Sequence, residues 1–132
     1  MKVIVDSSIW SAVLRKAAVD PRVAEVVGDL SRRGRVELLG AIRQEVLSGI
    51  RDGKQFQFIR ERLAAFPDLA LAREDHETAA AMFNRCRARG VQGSNTDFLI
   101  CAAAVRRDFL VFTADADFSR YAKIVRVKLF RD

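Results

Sequence analysis

The chain has 132 residues, half of them apolar and 30% charged; 23 Lys and Arg, mostly Arg, face 17 Asp and Glu, leaving a formal charge of +6. That is enough for one domain with a real core, taken as residues 1–132, and the balance excludes a disordered chain. No apolar run approaches the roughly 20 residues that span a bilayer, and no signal-peptide pattern opens the chain, so a soluble, cytoplasmic protein without a membrane role is expected.

Lys2 to Val5 is a short β-branched run and reads as a buried strand. Ser7 or Ser8 can cap a helix that begins near Ile9 and Trp10. Asp20-Pro21 starts the next helix, with Val23, Val26, Val27 and Leu30 on one face and an end near Gly34. Val36 to Leu39 is a second strand, closed by Gly40. Ile42, Val46 and Ile50 share the period of a third helix, broken near Gly49 and Gly53. Phe56, Ile59, Leu63 and Phe66 mark a fourth, stopped by Pro67.

Leu69 to Leu71 reads as a third strand, and Asp75 as the cap of a helix with Ala79, Met82, Phe83 and Cys86 on one side, ending at Gly90. Ser94 opens a capping-box-like Ser-x-x-Asp and a helix to about Arg107. Leu110 to Phe112 is a fourth strand, Phe118 to Tyr121 a short helical turn, and Ile124 to Leu129 the last strand. Strands alternating with helices predict an α/β fold, a parallel sheet sandwiched by helices. Cys86 and Cys101 lie in helix-like segments without CxxC spacing and read as reduced core thiols.

Four acids stand beside these apolar runs: Asp6 after Val3-Ile4-Val5, Glu45 in the third helix, Asp97 before Phe98-Leu99-Ile100, and Asp115 after Leu110-Val111-Phe112. In an open parallel sheet, ligands bind at the carboxyl ends of strands where the strand order reverses. Asp6 and Asp115 follow two such ends, and they meet if those strands are neighbours. Asp97 opens the helix that leads into the fourth strand, and Glu45 lies in the first half of the helix after the second, so both can reach the same edge. Gathered carboxylates repel one another and call for a cation. An all-oxygen site suits Mg2+ or Mn2+ rather than zinc. Such an ion can acidify a water and stabilise charge on a phosphate, which removes the need for a histidine base. The surplus of Arg, whose fork fits phosphate, agrees with a polyanionic substrate.

Each residue also has a plainer reading. Asp6 can cap a helix, Glu45 can be a surface acid, Asp97 can complement a helix dipole, and Asp115 and Asp117 can be loop and cap residues. Ser7, Asn95 and Thr113 can orient a carboxylate or water, or merely cap. His76 reads as a surface residue and Trp10 as core. The Arg32-Arg33-x-Arg35 cluster and the Arg85, Arg87, Arg89 series are phosphate contacts or solvated faces.

Four blocks carry a family resemblance: Val3-Ile4-Val5-Asp6-Ser7-Ser8-Ile9-Trp10, Glu45, Thr96-Asp97-Phe98-Leu99-Ile100-Cys101-Ala102-Ala103, and Phe112-Thr113-Ala114-Asp115-Ala116-Asp117-Phe118. In order and spacing the chain resembles PIN-domain ribonucleases, specifically the VapC-type toxins of toxin–antitoxin pairs, over nearly its whole length. The resemblance implies a three-layer α/β/α sandwich with a five-stranded parallel sheet. It implies Mg2+- or Mn2+-dependent cleavage of structured RNA such as tRNA or rRNA. Asp6, Glu45, Asp97 and Asp115 match the acidic quartet, Thr113 an accessory hydroxyl, and Asp117 a second acid in the last block that competes with Asp115. A homodimer and a cognate VapB-type antitoxin, whose C-terminal segment covers the active site, are implied too.

Three other classes are the alternatives. A receiver-like switch wants an acceptor Asp after the third strand, where this chain has Leu71-Ala72-Arg73. A haloacid-dehalogenase-type phosphatase wants Asp-x-Asp after the first, where it has Asp6-Ser7-Ser8. A non-catalytic PIN-like RNA- or protein-binding module has no need of all four acids.

Overall fold

The computed structural model describes residues 1–15 and 20–131. Its sheet is built from β1 (Val3–Val5), β2 (Val36–Glu37), β3 (Leu110–Phe112) and β4 (Lys128–Leu129), all parallel, in the order β2-β1-β3-β4. Seven helices join them: α1 (Ser7–Leu14), α2 (Pro21–Arg32), α3 (Gly40–Leu47), α4 (Gly53–Leu63), α5 (Arg73–Ala88), α6 (Asn95–Arg107) and α7 (Asp117–Val125). Val3, Ile4 and Val5 are wholly buried in succession, as a central parallel strand covered on both faces must be. The α/β architecture with a parallel sheet is therefore as expected.

Among the described residues the sheet has four strands rather than five. The segment after Pro67 makes only an isolated parallel bridge, Leu38 to Asp68, with the Leu69 amide donating to the Leu38 carbonyl at 2.8 Å. Proline donates no ladder hydrogen bond, and the extended run after it is too short to propagate a strand. The last strand is also shorter than expected. Ile124 and Val125 belong to α7, where Phe118, Tyr121 and Val125 recur at helical spacing and are all buried. Arg126, with φ 62°, ends that helix in the left-handed region, and only Lys128 and Leu129 pair with β3.

Local signals account for most helix starts. Asp20 accepts the amides of Arg22 and Val23, with Pro21 at the first helical position, and Ser94 accepts the amide of Asp97 at 3.0 Å. Asp52, unremarked in the sequence, caps α4 through the Lys54 amide.

Asp75 is a correction. Ala72 occupies the cap position of α5, and Asp75 stands three residues inside, reaching back to the Ala72 amide at 2.8 Å. Its carboxylate is fully buried and also receives Arg106 at 2.5 Å and Arg107 at 2.7 and 2.8 Å. This cluster clamps the start of α5 to the end of α6. Between those ends the helices pack closely, because Ala102, Ala103 and Ala104 of α6 are small and fully buried. Cys86 and Cys101 are buried and free, and burial raises both thiol pKa values, which makes them inert. Trp10 is core, 5.2 Å from the Phe66 ring, and His76 is exposed.

Candidate active site

The strand order reverses between β1 and β3. The chain leaves β1 for β2 on one side and places β3 on the other. Their register sets Val5 opposite Phe112, so the next residues, Asp6 and Thr113, emerge side by side at the carboxyl edge. The Asp6 amide donates to the Phe112 carbonyl at 2.9 Å, and the Thr113 hydroxyl donates to Asp6 Oδ2 at 2.8 Å. Asp6 takes the N-cap position of α1 yet makes no side-chain cap bond. Its carboxylate instead receives Ser8 Oγ at 3.0 Å, and Ser8 Oγ accepts the Ala114 amide at 3.0 Å. The hydroxyl beside Asp6 is thus that of Ser8 rather than Ser7. Ser7 lies toward Glu45 and helps its charged form.

Asp97 sits in the first turn of α6, half-buried. Its Oδ2 receives the Tyr121 hydroxyl at 2.7 Å. Desolvation raises the Asp97 pKa from its ordinary value; the hydroxyls of Tyr121 and Ser94 oppose this, and Asp6 adds a smaller upward push. Glu45 is exposed on α3, and its pKa is also raised, by partial burial first, then by Asp6, with a lesser contribution from Asp97. Three of the four expected acids are therefore in electrostatic contact, with Asp6 at their centre. A cavity of about 520 Å³ opens beside Glu45, lined by Ser7, Ala41, Gln44, Ser48 and Thr96.

The fourth position resolves into two different residues. Asp115 is exposed; its amide donates to Thr113 Oγ1 at 3.0 Å, and its Oδ1 accepts the Asp117 amide at 2.9 Å. Asp115 therefore does the capping work at the start of α7. Asp117 is the first residue of that helix and pairs with Arg120 at 3.4 Å. Both acids act on the Tyr121 hydroxyl, more weakly than Asp97 does. Asn95 lines a second cavity of about 320 Å³ between α5 and α6, with His76, Ala79, Thr96 and Leu99.

The donor chemistry fits a hard divalent ion: carboxylate oxygens, buttressed by hydroxyls, whose mutual repulsion a cation relieves. Hydroxyls hold Oδ2 of both acids, Ser8 and Thr113 on Asp6 and Tyr121 on Asp97. No three His, Cys, Asp or Glu side chains among the described residues are gathered closely enough to cage an ion by themselves. The edge is an open half-shell, of the kind Mg2+ takes up with its own waters and a phosphate.

Tyr121 and Ser8 are the contact residues that the sequence did not single out for the site. Ser8 carries a weak signal, lying two residues after Asp6 at a helix start. Tyr121 carries only the spacing Phe118-x-x-Tyr121, which reads equally as core.

The PIN domain family matches residues 3–124. The chain belongs to the PIN-domain family. Among solved structures it is similar in fold to FitAcB from Neisseria gonorrhoeae, at 20% identity and TM-score 0.78, covering 98% of this chain and 96% of that one. It is similar to VapBC2 from Rickettsia felis, a structure bound to a DNA fragment from the promoter, at 15% identity and TM-score 0.80 over 98% of both chains. VapBC-5 from Mycobacterium tuberculosis, of the VapBC toxin–antitoxin family, aligns over 100% of both chains at 19% identity and TM-score 0.72. No curated protein matches the sequence.

Proposed function

We propose that this chain is a Mg2+- or Mn2+-dependent endoribonuclease, a VapC-type toxin cleaving structured RNA. The observation that carries this reading is the parallel pairing of β1 with β3, which sets Asp6 against Thr113 at the sheet edge with Asp97 and Glu45 in its field. Membership of a nuclease family supports it.

In this reading Asp6 and Asp97 are the first ligands, each steadied by hydroxyls on Oδ2. Asp115 extends the site, with Asp117 held at its edge by Arg120. Glu45, the exposed member, faces the open cavity and positions the attacking water or holds a second ion. A bound divalent ion supplies Lewis acidity, offsetting charge that builds on the phosphodiester. Ser8 and Thr113 fix the Asp6 carboxylate, so its orientation is set before substrate arrives. Arg and Lys hold the RNA backbone without reading its sequence.

The solved structures of similar fold that name VapBC pairs support a cognate antitoxin as partner. A homodimer belongs to the same proposal. Cytoplasmic action on tRNA or rRNA follows from that reading. Among the described residues, no helix is long and apolar enough to cross a membrane.

The test is RNA cleavage by purified protein in Mn2+. Cleavage should stop with EDTA and with Asp6→Asn, and cleavage surviving both would remove the reading. Induced expression should also slow growth unless the partner is co-expressed; a harmless wild-type chain would sink the toxin assignment.

A further inference from the structure

Tyr121 is the only tyrosine in the chain, and it is wholly buried. Its ring lies between Phe98, with centroids 4.8 Å apart, and Phe118, at 5.2 Å. Phe98 directly follows Asp97, so one turn of α6 supplies both the packing wall and the acid. The hydroxyl reaches Asp97 Oδ2 at 2.7 Å, across an interval of 24 residues. A phenol hydroxyl facing a carboxylate oxygen is the donor, so the group is a fixed donor to Asp97.

Gly93 makes this possible. A Cβ at that position would lie 2.3 Å from the Tyr121 hydroxyl oxygen, 2.7 Å from Cζ and 2.9 Å from a Phe98 ring carbon. Gly93 has no positive φ, so its requirement is for space rather than backbone freedom. The ring tip is thus boxed by the Gly93 backbone and two aromatic rings, and the hydroxyl cannot swing away from Asp97.

We propose that Tyr121, seated against Gly93, is a positioning residue that holds the Asp97 carboxylate through Oδ2 in the orientation a divalent cation needs. Asp97 thereby acquires from Tyr121 what Ser8 and Thr113 give Asp6: a hydroxyl on Oδ2 that fixes the carboxylate. Groups that orient a ligating carboxylate in this way change metal affinity by about 10- to 100-fold when removed. The inference rests on the metal-dependent reading of the acid edge. It goes beyond that reading in assigning a role to a core aromatic and a glycine outside the acidic quartet.

The experiment measures Mn2+ binding by electron paramagnetic resonance of the free ion, without nucleic acid, alongside thermal melts in EDTA. Tyr121→Phe keeps the ring and removes the donor. It should melt close to the wild type yet bind Mn2+ about tenfold more weakly or worse, and Gly93→Ala, which displaces the ring tip, should also weaken binding. A wild-type dissociation constant in Tyr121→Phe would overturn the proposal, and a change in melting alone would leave Tyr121 a purely structural residue. Wild-type protein that binds no more tightly than Asp97→Asn would instead defeat the metal reading, and the proposal with it.

Because Tyr121 is the sole tyrosine, 3-fluorotyrosine labelling gives a second readout that needs no substitution there. Its 19F resonance should shift saturably with Mg2+ in the wild type and stay fixed in Asp97→Asn. A resonance indifferent to Mg2+ in protein that binds Mn2+ would count against the coupling.

Discussion

Two aspartates are buried among the described residues, and they are opposites. Asp75 is fully enclosed and saturated with positive partners: Arg106, Arg107 and the Ala72 amide. Asp6 is 5% exposed and meets only two neutral hydroxyls, with Glu45 and Asp97 raising negative potential around it. The first is a finished structural joint. The second has no cationic side-chain partner among the described residues, which is the opening the proposed cation would fill. Burial of a carboxylate is thus ambiguous by itself, and the identity of its partners separates a clamp from a site.

Substitutions sharpen this contrast. Asp75→Ala should have the largest effect on folding. It strands Arg106 and Arg107 at the α5–α6 joint and should cost about 3 kcal/mol in urea unfolding, while the acid edge is left intact. Asp6→Asn should do the reverse, leaving stability in EDTA nearly unchanged, or slightly raised by relief of repulsion, and cutting RNA cleavage by roughly a hundredfold or more. Equal losses of stability in the two variants would break the comparison.

The pH dependence should follow the clamp. The Arg107 hydrogen bond, then the Ala72 amide and Arg106, hold the Asp75 carboxyl far below the usual range against its desolvation. Its folded pKa is depressed, so the unfolded state binds more protons in the window between. The stabilisation is complete above the unfolded value, about pH 4, and fades as pH falls below it. Asp75→Asn should flatten that acid limb of the stability profile, and an unchanged limb would assign acid sensitivity elsewhere. The smallest effect belongs to an exposed pair. Asp29→Ala, which releases Arg32 and Arg33, should change stability by less than about 0.5 kcal/mol.

Much of this was legible in the chain. Apolar runs and caps located the elements, and the placement of acids after strands pointed to one edge. What escaped depends on long-range pairing. The segment after Pro67 reads as a strand by composition, but proline and a short run leave it a single bridge. Asp75 has the look of a helix cap, and its true partners lie 31 and 32 residues away. Ser7 and Ser8 are indistinguishable as neighbours of Asp6 until the helix direction turns one toward Glu45 and the other toward Thr113. Asp115 takes the capping contact that the position of Asp117 suggests, because the Asp117 amide donates back to Asp115. Asn95, two residues from Asp97, lines the cavity that His76 and Ala79 share, which its place at a helix start does not reveal.

The central claim is that Asp6 and its neighbours form a cation site, and metal-linked stability tests it most directly. At a hundredfold excess over its dissociation constant, Mn2+ should stabilise the wild type by about 2.7 kcal/mol, raising the melting temperature, and Asp97→Asn should show no such rise. An equal rise in both proteins, or none in either, would contradict the account.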